Sequence, residues 1–436
     1  MLLVDAAPVS SRDREQPLRS GDDFVLDRLI SDALKSQERF LAGSIELLGL
    51  DHVKRELGSK WAQVGPIVHE IAQTEIRRHL STADHFKPNG ETRFVVFFGA
   101  LDRQKAAGRA ALISRAIKAR LLEELPEIEE RTSVNLFVTE VDPQDLASGN
   151  RSLADRLAAS LEKMQCEVEL VAASQRKTIL RDFQVLFAPV WHVEKHITTC
   201  NRTVVDTSLI GRGLNRIRAL GDEMQYRRTI AEIDCMTLTK AVERLHAASR
   251  SDRAIALLVP VNCETFMTPG TEREYLRLLA SVPAPYRDKL VIEITGIERN
   301  LSLRQVCSSI SKVQRHVDRA VAEVGLDSPL LHMFSRGNVY ALACSLQGLA
   351  EQQNYSLKAF TALAAEAGAV TFAHSANTLG LAGAAVEAGF AHIDGPAIHL
   401  NTTEPRPTLR LKPMIDLGVS GTSNRSGSVR AAYRPN

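Results

Sequence analysis

Four shortages narrow the possibilities before any motif is read. Aromatic residues make up only 5% of the 436, with two tryptophans, which leaves little material for a surface that stacks nucleic-acid bases. Charge of one sign is also lacking. Lys and Arg number 54 against 52 Asp and Glu, a formal net of +2, so no strong field draws the chain to a polyanion or an anionic bilayer. No apolar run approaches the roughly 18 residues that a bilayer-spanning helix requires. The opening stretch MLLVDAAPVSSRDREQ meets acids and bases too early for the apolar core of a signal peptide. The six cysteines (Cys166, Cys200, Cys235, Cys263, Cys307, Cys344) form no CxxC pair. That spacing suits neither a zinc knuckle nor a disulfide framework, and it suits a reducing cytoplasm. A cytoplasmic protein without a membrane span or a nucleic-acid partner is expected.

What is present is ordinary globular material. Apolar residues reach 44% and charged residues 24%, with 25 glycines and 17 prolines, enough core for two or three domains at roughly 100–200 residues each. Residues 1–22 are polar and read as a flexible tail. Over 23–40, Phe24, Leu26, Leu29, Ile30, Leu34 and Phe40 recur at helical spacing, a stripe too short to stand alone in water. It should pack on a neighbour or on a second copy. In FKPNGETRFVVFF, a Pro-Asn-Gly turn precedes a β-branched and aromatic run, the signal of a tight hairpin. Ala106–Leu122 reads as a helix, SVNLFVTEV as a strand, Ser152–Met164 as a helix and EVELVAA as a further strand. This interleaving predicts an α+β domain around a central sheet.

The second half changes rhythm. QVLFAPVWHV, AIALLVPVNC, KLVIEIT, AVAEV, VYALAC, AVTFAHS and HIDGPAI are strand candidates separated by helical stretches. Several are nearly continuous apolar runs, as in parallel strands buried on both faces. Such repeated strand–helix alternation predicts a (β/α) barrel, with chemistry at the C-terminal ends of the strands. From residue 404 to 436, four prolines, a Gly/Ser-rich GVSGTSNRSGS and six Arg/Lys against two acids predict a flexible basic tail.

At those strand ends a familiar order of motifs emerges. VPVNCETF resembles the asparagine-ended strand of EAL-type cyclic di-GMP phosphodiesterases, and KLVIEITGI resembles their L-x-x-E-I-T-E strand. HVDRAVAEVG lies where the family has its Asp-Asp-Phe-Gly, AVTFAHSANTLG where it has Ala-Glu-Gly-Val-Glu-Thr, and AGFAHIDGPAI where a Gln-Gly turn closes the last strand. Upstream, FAPVWHVEKHITTCNRTVVD resembles the opening hairpin that returns through the Glu-Ala-Leu signature. The first half is similar to the usual upstream partner, a GGDEF-type domain with a nucleotidyl-cyclase-like fold. There LLGLDHVKREL matches the first strand and helix, and PNGETRFVVFF the signature hairpin. The resemblance implies an α/β chain in which a degenerate GGDEF-like domain (41–175) precedes a degenerate EAL-like barrel (176–403).

The same alignment implies that the chemistry is eroded. An EAL phosphodiesterase holds two divalent cations on carboxylates and an asparagine, and these generate hydroxide and neutralise the phosphodiester. Asn262 and Glu293 occupy matching positions. The signature glutamate falls at Arg202 and the phosphate-binding arginine at Asp206. The aspartate pair becomes Ala322-Glu323, the late glutamate strand carries His374, and the Gln-Gly turn carries Asp394. VYALACSLQG contains no lysine where the family has Lys-Ile-Asp. A permanent cation at position 202 reverses the charge of a metal ligand. Asn262, Glu293 and Glu323 remain the candidates for any metal; otherwise Asn262 and Glu293 cap strand ends or pair with Arg202. In the first domain the GGDEF turn reads Gly90-Glu91-Thr92-Arg93-Phe94, and the metal-binding aspartate of the first strand is Gly49. Asp51 and Lys54 survive as surface residues of a helix start. His192-Val-Glu-Lys-His196 lacks the H-E-x-x-H zincin spacing, and the glycines of Leu379–Gly389 suit a close-packed barrel helix.

The expectation is therefore a bacterial regulator without catalysis, acting through protein contacts as a homodimer and needing no cofactor. Two alternatives stay open: a cyclic di-GMP receptor without turnover, and a phosphodiesterase with an altered site using Mg or Mn.

Overall fold

The computed structural model describes residues 21–36, 38–99, 101–129, 132–147, 150–205, 207–220, 223–251, 253–297, 303–334, 339–349 and 354–411. Two compact units divide the chain. The first reaches Val171 and takes in Ala219–Met224; the second comprises Ala172–Arg218 and the chain from Gln225 onward.

In the first unit, helix α1 (Gly21–Ser36) leads into β1 (Phe40–Leu48), α2 (Leu50–Leu57) and α3 (Trp61–His79). A hairpin of β2 (His85–Asn89) and β3 (Arg93–Phe98) follows, then α4 (Arg103–Glu124), the short α5 (Pro126–Glu129), β4 (Ser133–Val141) and α6 (Leu153–Arg181). The sheet order is β2-β3-β1-β4, antiparallel throughout. Alternation along the strands sends one set of side chains into a core with α3 and α4, among them Ile45, Phe94, Val96 and Leu136. The opposite set, including Phe40, Val95, Phe97 and Phe137, packs with α1 and α6.

Three expectations change here. The N-terminal helix is confined to Gly21–Ser36, and Phe40 opens a strand. Its stripe does not await a second copy: Leu26 and Ile30 are fully buried against the sheet, and the Asp27 carboxylate accepts the Ala154 N–H at the start of α6. The segment EVELVAA is helix, not strand, because α6 runs unbroken to Arg181. Leu157, Leu161, Met164, Val168 and Ala172 recur every three or four residues, and that period outweighs a four-residue alternation.

The second unit holds a closed barrel of eight strands. β5 (Val185–His192) and β6 (Ile197–Val205) form a hairpin, followed by α7 (Thr207–Ala219) and α8 (Glu223–Arg250). Then come β7 (Leu257–Asn262), α9 (Pro269–Ala280), α10 (Ala284–Arg287), β8 (Leu290–Thr295), α11 (Leu303–Gln314) and β9 (Arg319–Glu323). β10 (Ala341–Ser345), α12 (Asn354–Glu366), β11 (Val370–His374), α13 (Leu379–Glu387) and the two-residue β12 (His392–Ile393) complete it. Strands β6 to β12 run parallel to one another, but β5 is antiparallel to both β6 and β12. The four-residue connection Val193–His196 can turn the chain but cannot carry it back across the barrel. Val190, Leu258, Val291, Val321, Ala341, Ala343 and Phe372 fill the interior. Their strand neighbours Leu257, Val259, Ile292, Ala320, Leu342 and Ala373 face the helices.

The basic tail expected from residue 404 starts later. Thr402 exchanges both backbone hydrogen bonds with Phe187 on β5 (2.8 and 2.9 Å). Further on, Leu409 accepts from Thr198 on β6 and Leu411 donates to His196 just before it (2.8 and 2.9 Å). Between them the Asn201 side chain grips the Arg406 backbone at N–H and C=O (3.0 and 2.8 Å). Residues 402–411 thus form a strap that belts the hairpin. The rest of that tail lies outside the described residues, as do residues 1–20 of the N-terminal tail expected over 1–22, whose last two residues, Gly21 and Asp22, instead open α1.

Candidate functional site

The strands deliver a ring of charged side chains to one end of the barrel. Asn262, Glu323 and His374 each end their strand, and Glu293 lies two residues before the end of β8. Glu293, Glu323 and His374 share the inward parity of Val291, Val321 and Phe372. Arg202, opposite Leu258 in the β6–β7 register, reaches along the interior: its Nε donates to Glu293 Oε2 at 2.8 Å. Its Nη2 lies 3.9 Å from Glu323. His374 spans the other side, with Nε2 2.6 Å from Glu293 Oε1 and Nδ1 2.5 Å from Asp394 Oδ2.

Both nitrogens of His374 face carboxylates, so both must donate, and the ring is an imidazolium. Burial and the Arg202 cation push its pKa down, but Glu293 and Asp394 outweigh them and raise it to about 9. Burial alone would lift the Glu293 carboxyl; the Arg202 and His374 cations instead hold it well below the usual carboxylate range. Asp394 is depressed in the same way, helped by the Ser375 N–H at 3.0 Å. Glu323 goes the other way, raised by burial and by Glu293. Within the ring the Arg202 and His374 cations thus oppose the charge of Glu293 and Asp394.

The loops are shaped to hold this arrangement. Ser375 takes a positive φ of 61° directly after His374, a conformation that a serine rarely adopts; Asp394 holds its N–H in place. Gly395 has φ 129°, and a side chain there would strike the Ala376 backbone at 2.3 Å. Only glycine lets the Asp394 turn close against β11.

Not every residue that the sequence singles out joins the ring. The Asn262 amide oxygen accepts the Glu264 N–H at 3.0 Å, capping the short turn after β7. Its amide lies over Gly296 (φ 69°), where a Cβ would come within 2.6 Å. Asn262 thus caps the end of its strand, one of the roles expected for it. Ala322 faces the outer core, so of the Ala322-Glu323 pair only Glu323 looks inward. Asp206 lies outside the described residues. Among the described residues, no group of three or more His, Cys, Asp or Glu is arranged to hold a metal ion.

Sequence reasoning missed a second polar cluster behind the rim. Asp234 on α8 accepts the Asn262 N–H at 2.9 Å and the Thr265 hydroxyl at 2.5 Å. Burial drives its pKa up to about 7, against those two hydrogen bonds. An acid in the middle of a long helix offers no motif that would reveal this.

The turn in the first unit carries no carboxylate cluster. It is a three-residue loop between Asn89 and Arg93, with only Gly90 at positive φ (81°). Glu91 pairs with Lys54 at 2.8 Å, and the Thr92 carbonyl accepts the Leu47 N–H. Arg93 bridges Glu46 and Glu162 at 2.8 and 3.1 Å, and Phe94 is buried in the core.

No family model matches the chain, and no curated protein matches it. Solved structures with similar folds do exist. The Xanthomonas citri FimX EAL domain in complex with c-diGMP is 17% identical over 56% of this chain and 96% of its own, with a TM-score of 0.40. The Bacillus subtilis YkuI protein, with an EAL domain, in complex with substrate c-di-GMP and calcium, is 15% identical over 52% of this chain and 57% of its own, with a TM-score of 0.42. The apo Vibrio cholerae LapD S helix-GGDEF-EAL structure is 11% identical, covering 86% of this chain and 92% of that one, with a TM-score of 0.38.

Proposed function

We propose that this chain is a degenerate tandem GGDEF–EAL protein of bacterial cyclic di-GMP signalling that regulates through protein contacts and does not turn the dinucleotide over. One observation carries the reading: Arg202 and His374 supply, from the protein itself, the positive charge that a phosphodiesterase site draws from metal ions. Glu293, the best-placed ligand left by the motif comparison, has both carboxylate oxygens engaged by those two side chains. A divalent cation would have to displace a guanidinium and an imidazolium from a buried carboxylate, at a large desolvation cost. The GGDEF-like turn supports the same conclusion, since Thr92 and Arg93 stand where the synthase chemistry needs acids.

Calorimetric titration with cyclic di-GMP, in the presence and absence of Mg²⁺ or Mn²⁺, together with a search for linearised product, tests the proposal. Neither metal-dependent binding at the rim nor product is expected. Tight binding without product would replace the proposal with the receptor reading. Metal-dependent product would replace it with the phosphodiesterase reading.

A further inference from the structure

The sequence draws attention to His192 and His196 as a pair, but the fold gives His192 a different partner. In the β5–β12 register His192 stands directly opposite His392, and their ring centroids are 4.8 Å apart at 65°. His196 turns away, at positive φ, with its ring against Trp191. The two facing histidines lie where β5 ends and β12 begins, two residues along the chain from Asp394 of the charged ring and level with Phe372.

His392 is 7% exposed, and its Nδ1 is buried without a hydrogen-bond partner. An orphaned ring nitrogen in a folded interior calls for a ligand or a water. The ring is also held rigidly: it stacks on Phe372 with centroids 4.4 Å apart and planes within 8°. His192, half-buried, receives only a long contact from the Lys195 N–H, 3.4 Å to Nδ1. Unlike His374, neither ring is hydrogen-bonded to a carboxylate. Metal–nitrogen bonds of about 2.0–2.1 Å put two imidazoles of one tetrahedral ion with centroids roughly 4.5–5.5 Å apart. The observed 4.8 Å falls within that span.

We infer that His192 and His392 form a two-histidine site for a borderline divalent transition metal such as Zn²⁺, Co²⁺ or Ni²⁺, with water completing the coordination. Imidazole pairs suit these ions better than Mg²⁺ or Ca²⁺, which prefer oxygen. At His192 the ion replaces only the long Lys195 contact; at His392 it satisfies the orphaned Nδ1. The location gives the site a purpose. β5 and β12 meet over two residue pairs only, His192↔His392 and Trp191↔Ile393, and a metal bridging the first pair staples the seam that closes the barrel.

The test uses full-length protein stripped of metal by a chelator, then titrated with Co²⁺ and with Ni²⁺ by calorimetry, with thermal unfolding followed at each loading. One ion per chain is expected, with a midpoint that rises as metal is added. His192→Ala, at a half-exposed position and with its fold checked by circular dichroism, should weaken binding at least about tenfold and abolish the rise. His196→Ala should leave both unchanged, which separates the site from the sequence-adjacent pair. Failure of the wild-type protein to bind either ion in the micromolar range would overturn the inference. So would His192→Ala binding as tightly as wild type, or a loss confined to His196→Ala.

Discussion

At the scale of single residues, the charged ring is a balance that protons can tip. His374 has its pKa raised to about 9 in the fold, against about 6.5 for an unfolded histidine. Its contribution to stability is therefore full below about 6.5 and is lost as pH rises through about 9. The unfolding midpoint of the wild type should fall between pH 7 and pH 10, and a His374→Gln variant should lack that slope. A fall of equal size in the variant would remove His374 as the cause. Asp234 titrates lower. Its folded pKa of about 7 lies above the unfolded carboxylate value, so ionisation costs stability, and that cost is complete above about pH 7. Asp234→Asn, which keeps an acceptor for Asn262 and Thr265, should raise the midpoint at pH 8 and give no gain at pH 4. Arg202 is the residue whose removal hurts most: Arg202→Met leaves a buried carboxylate short of a partner and should cost about 3–5 kcal/mol in a denaturant titration. The double variant Arg202→Met/Glu293→Met should recover part of that loss. Much of this ring was legible residue by residue, because Arg202, Glu293, His374 and Asp394 fall at motif positions. Their mutual contacts were not, since they come from strands far apart in the sequence. Strict alternation along β9 would have told Glu323 from Ala322, as adjacent strand residues face opposite ways.

At the scale of elements, the strap and α1 were the least legible. Proline, glycine and arginine in the last stretch read as a free tail, but composition carries no record of which edges a fold leaves unpaired. β5 and β6 each leave part of an edge open, and Thr402 and Leu409–Leu411 fill both. Asn201→Ala removes the two bonds to Arg406 from a buried position and should cost about 1–3 kcal/mol. It should also make the Arg410–Leu411 bond an early site of tryptic cleavage. Digestion no faster than in the wild type would mean that the strap is held by its ends alone. For α1 the period of the apolar stripe was plain, but its partner was not. A stripe of that width fits a second helix as well as a sheet, and only the exposed face of β1, β3 and β4 decides between them. Leu26→Ala should cost about 2–5 kcal/mol as a core truncation, with no dependence on protein concentration. A concentration-dependent loss would return the helix to a dimer interface.

At the scale of the whole molecule, the barrel and the sheet were legible because buried parallel strands and amphipathic helices write their periods into the sequence. On the proposed reading the activity depends on far fewer positions, and Arg202 and Asp206 stand there with charge opposite to that expected while the scaffold strands keep their apolar runs. Scaffold and chemistry are set by different residues, so one can persist without the other. The central claim is that Arg202 and His374 stand in for metal ions and leave the rim silent. Its most direct test is incubation of full-length protein with cyclic di-GMP and Mn²⁺, with linearised dinucleotide quantified over time. The account predicts no product above a protein-free control, for the wild type and for Glu293→Ala alike. Metal-dependent product from the wild type that disappears in Glu293→Ala would contradict it.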